Sequence, residues 1–139
     1  MSREEVLIEI KSVQKVGDQV DNVDVIARGF HTAENGEHFL EYDEFDNETD
    51  DKTENTIRFT ESKAEVVRKG NMTGNLTFEK GEKNETIYST PFGDLNMDII
   101  TNDIQIDEQD KQITLKIAYE LYAQNEKVSD HTINVSIKK

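Results

Sequence analysis

The chain has no cysteine, no tryptophan and only one proline in 139 residues, and its cations are heavily outnumbered. Without cysteine there is neither a disulfide framework nor a thiolate metal site. Lys and Arg total 16 against 30 Asp and Glu, which gives a formal net charge of −14. Phosphate binding needs a cationic surface, so this balance argues against nucleic acid or an anionic membrane as a partner. No apolar run approaches a membrane span. Met1-Ser2-Arg3-Glu4-Glu5 leads straight into an alternating pattern and lacks the apolar stretch of a signal peptide. The expected compartment is the cytoplasm. In that setting the glycosylation-like triplets, such as Asn71-Met72-Thr73 and Asn134-Val135-Ser136, carry no weight.

Reaction motifs are missing as well. There is no Gly-rich phosphate loop, no nucleophile elbow and no HExxH, and nothing implies a cofactor. Carboxylates abound, but none is singled out as half of an acid/base pair, so an enzyme is the weakest expectation.

What is present is alternation. The hydrophobic fraction of 34% and charged fraction of 33% lean towards disorder. Regular spacing of the apolar residues argues for a fold instead. Strands are expected at Val6–Ser12, Val23–Ala33, His38–Phe45, Thr53–Thr60 and Lys63–Gly70, then around Leu76 and Phe78 and over Asn84–Thr90. Asn35-Gly36 is the strongest hairpin signal, since both residues tolerate positive φ. Pro91 breaks the ladder because it cannot donate. From Asp94 to Ile106 the parity changes: Leu95, Met97 and Ile99 are odd, Ile104 and Ile106 even. An inserted residue is required, which predicts a bulge between Ile99 and Asp103.

The final hairpin aligns Ile113 to Leu121 with Ile133 to Ile137, centring an odd-numbered turn on Glu126, with Asn125 left-handed. Short strands, tight turns and no linker predict one all-β domain over 1–139. Its expected form is a single antiparallel up-and-down β-barrel of about 8–10 strands.

Tyr42-Asp43-Glu44, Arg68-Lys69-Gly70, Leu76-Thr77-Phe78 with Gly81, and Tyr88-Ser89-Thr90-Pro91-Phe92-Gly93 occur in the same strand order. Together they resemble the YwiB-like family of uncharacterised bacterial proteins across nearly the whole chain. The resemblance implies a calycin-like, or lipocalin-like, β-barrel. It implies no activity.

In such a meander, alternate strands end at one mouth. The longer connections are expected there: Val16–Asn22, Asp46–Lys52, Asn71–Gly74, Thr90–Gly93 and Gln124–Lys127. Parity points His38, Leu40, Tyr42 and Glu44 inward, with Asn55, Arg68 and His131 on inner faces and Tyr88 nearby. Glu44 and Arg68 would stand two strands apart, about 9–10 Å between backbones, within reach of their side chains. As a rim ion pair they would fix register. As a site, Arg68 would offer a bidentate donor to an anionic ligand group, with Tyr42 or Tyr88 stacking beside it.

Phe30, Phe39 and Phe45 have the opposite parity. Either they face outward, marking a protein partner or homodimer surface, or a bulge shifts the register. His31 and His38 flank one turn at the far end from His131, so no three histidines converge on a metal. Asp46 to Asp51 begins like a calcium loop, but Asp51 stands where glycine belongs and Ile57 where glutamate belongs. Two readings follow. One is a barrel binding a small, partly apolar molecule at its mouth through Tyr42, Glu44, Asn55, Arg68, Tyr88 and His131. The other is a protein-interaction or structural barrel with a filled interior, which the large inward residues Phe59, Phe78, Tyr119 and Leu121 favour.

Overall fold

The structure is a computed structural model that describes residues 3–45, 51–70, 73–90 and 93–139. Ten strands run in sequence: β1 (Glu4–Val16), β2 (Gln19–Glu34), β3 (Glu37–Phe45), β4 (Lys52–Phe59) and β5 (Lys63–Lys69), then β6 (Thr73–Glu79), β7 (Lys83–Thr90), β8 (Gly93–Glu108), β9 (Gln112–Ala123) and β10 (Glu126–Lys138). Each pairs antiparallel with the next, and β1 closes on β10, giving the expected meander barrel. Among the described residues no helix is long and apolar enough to cross a membrane.

Alternation places one side-chain set of every strand inside. Phe59, Phe78, Ile8, Leu40, Ile99, Leu115, Ile117 and Ile137 are fully buried. Asn35 and Gly36 have φ of 53° and 81°, so the β2–β3 hairpin turns as the Asn-Gly pair requires. The bulge in β8 lies between Thr101 and Asp103, within the expected span, with Asn102 the extra residue. Parity changes there: Ile99 and Thr101 point inward before it, Ile104 after it.

Three expectations need correction. Three of the five connections expected to be long at the mouth are tight, because Val16 pairs with Gln19, Thr90 with Gly93 and Ala123 with Glu126; Asp46–Asp50 and Asn71–Met72 of the other two lie outside the described residues. The β1–β2 connection is a two-residue turn in which Gly17 has φ 59°; its flanks are exposed on both faces, so apolar alternation could not mark them as strand. The last hairpin turns at Gln124-Asn125, both at positive φ, and Ile117 pairs with Ile133 rather than Val135. Its odd residue, Val128, sits in a bulge between Lys127 and Ser129 instead of in the turn. Asn125 is left-handed, as anticipated.

Two seams of the barrel are laddered along only part of their strands. β2 pairs with β3 only from Gly29–Tyr42 down to Glu34–Glu37. Above Gly29, β2 swings away from β3. That divergence opens the mouth. β6 and β7 pair only at Thr73–Ser89 and Gly74–Tyr88. Lower down, the Thr86 hydroxyl donates to Asn75 O, and Asn84 Nδ2 donates to Glu79 Oε1 at 2.9 Å. Gly81 N and Thr101 N exchange bonds with Thr101 O and Glu82 O, tying the turn to β8 at its bulge.

The Phe30, Phe39 and Phe45 ambiguity resolves as outward-facing aromatics. Pairing is continuous through β2, β3 and β4, with no bulge to reverse them. Arg3 covers the Phe30 ring at 3.8 Å and Arg58 the Phe39 ring at 5.5 Å, whereas Phe45 is 66% exposed.

Candidate ligand site at the barrel mouth

Register builds the site as one row around the wall. Gly29 pairs with Tyr42, Tyr42 with Asn55, Asn55 with Arg68, Arg68 with Gly74, and Gly74 with Tyr88. Directly paired residues share a face, so a row that starts inward stays inward. Glu44 stands two residues beyond Tyr42, on the same face and nearer the rim. Gly74 adds no side chain to the row.

Part of this row lines a cavity of about 250 Å³ inside the barrel. Its polar lining includes Tyr42, Glu44, Asn55 and Arg68; its apolar lining includes Ile10, Val25, Ile57, Leu115, Ile117 and Val135. Four of the six residues expected at the site are therefore together. Tyr88 lies on β7 beside Gly74, and its side chain is outside the described residues. His131 stands behind the lining: its ring stacks on Tyr119 at 4.7 Å and 8°, and Nε2 lies 2.6 Å from Ser129 Oγ. Tyr119, not His131, reaches the cavity. The acidic segment Asp46–Asp50 of the calcium-like loop falls outside the described residues.

The polar groups are unevenly satisfied. Asn55, only 2% exposed, donates from Nδ2 to Glu44 Oε1 at 3.2 Å and to Thr53 O at 3.3 Å. Glu44 Oε2 and Arg68 Nη2 are 3.8 Å apart, an ion pair but too long for a hydrogen bond. Arg68 Nε is buried and, among the described residues, has no hydrogen-bond partner. Burial first, and then the Glu44 carboxylate, push the Tyr42 phenol well above its ordinary 10, so it remains a neutral donor. Among the described residues, Arg68 thus keeps one donor unmet and engages Glu44 only loosely.

The closed end holds a second polar cluster that sequence reading did not assemble. His31 Nε2 meets His38 Nδ1 at 3.0 Å, and His38 Nε2 meets Glu108 Oε1 at 2.5 Å. The His38 ring also stacks on Phe59 at 4.7 Å. Both histidines are 3% exposed. Burial first, then the neighbouring His38, hold the His31 imidazole below its ordinary 6.5. Hairpin pairing of His31 with Leu40 hinted at the two histidines; nothing local pointed to Glu108, 70 residues from His38. Among the described residues, no three His, Asp or Glu side chains are grouped to hold a metal ion.

A family model described as a domain of unknown function (DUF1934) matches residues 8–135. The chain is 21% identical over 131 residues to a Bacillus subtilis protein described as the uncharacterized beta-barrel protein YwiB, covering 94% of this chain and 91% of that one. The crystal structure of YwiB from the same organism superposes with a TM-score of 0.84 at 20% identity, covering 98% of this chain and 92% of that one. At that identity the likeness speaks for the barrel alone.

Proposed function

The chain belongs to the family described as a domain of unknown function (DUF1934), and from that premise we propose that it is a binding barrel for a small, partly apolar molecule bearing a negative group. The supporting observation is Arg68 Nε, a buried donor without a partner among the described residues, on a side chain that lines the interior cavity. An unmet buried donor costs about 1–3 kcal/mol, and a ligand acceptor would recover that. The apolar walls favour an organic body over an inorganic ion. At about 250 Å³ the cavity suits a ligand smaller than the drug-sized molecules that fill about 300–1,000 Å³. Large inward residues fill the closed half and leave the mouth half for this purpose, a calycin-like use of the barrel with the cytoplasm as its setting.

Native mass spectrometry of the protein purified from its own host tests the reading. A small molecule is expected on the wild type and absent from Arg68→Ala and from Val66→Trp, which fills the cavity. Folded wild type that carries no molecule and binds none from a panel of small organic acids would overturn it.

A second reading is an interaction barrel that pairs with another copy of itself. It draws on Ile26, 70% exposed, and Phe45, 66% exposed, which line one external groove where β2 leaves β3. The same spectra would show a dimer that Phe45→Ser dissociates.

A further inference from the structure

We propose that the mouth selects monocarboxylic acids, and that Glu44 is a built-in competitor whose carboxylate an incoming ligand displaces from Arg68. The inference rests on the small-molecule reading above and narrows it to one ligand class and one mode of control.

A guanidinium presents Nε–H and one Nη–H along a single edge, a fork matched to the two oxygens of a carboxylate. In Arg68 one prong, Nη2, faces Glu44 Oε2 at 3.8 Å, and the other, Nε, has no acceptor among the described residues. The fork is half engaged. Glu44 cannot complete it from where it is held, because its other oxygen accepts from Asn55 Nδ2. A turn of the covered guanidinium edge towards the cavity would offer both prongs to a ligand carboxylate, with the neutral Tyr42 hydroxyl as a further donor on the same row.

Displacement leaves no stranded charge. Glu44 keeps its bond from Asn55, and its side chain, 30% exposed, stays in contact with water. Glu44 also sets the preference among anions. A dianionic phosphate head would sit against this carboxylate in a chain of net charge −14, whereas a carboxylate brings a single charge. Beneath the fork lie Ile57, Leu115, Ile117 and Val135, so the acid carries its alkyl or aryl body inward. The mouth is then tuned by a carboxylate that resembles the ligand's own.

Titration calorimetry on the full chain with octanoate, octanamide and octyl phosphate tests this, with Arg68→Gln and Glu44→Gln checked for folding by circular dichroism. Octanoate is expected to bind wild type at least about tenfold more tightly than octanamide, the scale of a charge-assisted pair. Arg68→Gln should erase that preference, and Glu44→Gln should tighten octanoate by roughly twofold to fivefold. Should Arg68→Gln fail to fold, Arg68→Lys keeps the charge without the fork and should lose most of the preference. Equal affinity for octanoate and octanamide, or tighter binding of octyl phosphate, would overturn the selectivity while leaving the cavity as a site. Unchanged octanoate affinity in Glu44→Gln would overturn the competitor role. Failure of all three probes on folded wild type would bring down the small-molecule reading itself.

Discussion

His38 on β3 and Glu108 at the end of β8 meet at 2.5 Å across the closed end of the barrel, although their strands lie on opposite sides of the sheet. The bond spans the barrel's width. His38 is buried, while the Glu108 side chain is 59% exposed, so water screens part of the interaction.

Glu108→Ala is expected to cost about 1 kcal/mol of stability, a charge-assisted bond discounted for exposure. Urea denaturation of the two single variants and the double variant with His38→Phe measures the coupling. Additive effects would mean that the contact contributes nothing beyond its parts.

Stability should also respond to the histidines. Burial holds the imidazoles of His31 and His131 below their ordinary 6.5, with Asp130 opposing the shift at His131. The unfolded chain therefore takes up these protons first. Their contribution is complete above 6.5 and is lost as pH falls below it towards the folded-state values. Protonating carboxylates changes stability over lower pH as well, so the comparison must be with a variant. His131→Phe preserves a ring to stack on Tyr119. Relative to it, wild type should lose stability between about pH 7.5 and 5.5, read from urea midpoints. A constant gap across that range would refute the assignment.

Gly29 marks the point where β2 leaves β3. A Cβ there would lie 2.2 Å from Glu41 O and 2.7 Å from Ile8 Cδ1, one a backbone atom and the other a core side chain. Neither can retreat cheaply. Gly29→Ala should destabilise the barrel by about 3 kcal/mol or more, whereas Gly36→Asn in the exposed turn should cost far less. Similar melting temperatures for the two variants would contradict the close approach.

Thr101 is fully buried beside the β8 bulge, and its Oγ1 has no hydrogen-bond partner among the described residues. Thr101→Val removes an unmet hydroxyl and keeps the β-branched shape. A gain of about 1 kcal/mol is expected, visible as a higher thermal midpoint. A loss would show that the hydroxyl binds internal water.

Much of the barrel was legible because its information is local. Alternation placed Tyr42, Asn55 and Arg68 inward, and an Asn-Gly pair and a parity break located one turn and one bulge. The Glu44–Arg68 pair followed from counting strands. Where both faces of a strand meet water, as at the tip of β1 and β2, alternation has no cause and the strand ends were misplaced. The last hairpin's register slipped by two because a bulge at Val128 and an odd-numbered turn produce the same parity. Contacts across the closed end, Glu108 to His38 above all, depend on barrel curvature, which no local pattern encodes. His131 had the right parity, but Tyr119, its directly paired neighbour on β9, lines the cavity in its place.

The row that carries the candidate site runs round only part of the wall. Tyr42, Glu44, Asn55 and Arg68 stand on the consecutive strands β3, β4 and β5, whereas Ile10, Val25, Leu115, Ile117 and Val135 face them from β1, β2, β9 and β10. His38 ties β3 to β2 and β8 at the closed end through His31 and Glu108. The cavity is therefore lopsided, with its charged side chains gathered along one arc and the opposite arc mostly greasy. A molecule with one polar end would find a single way round that suits both walls.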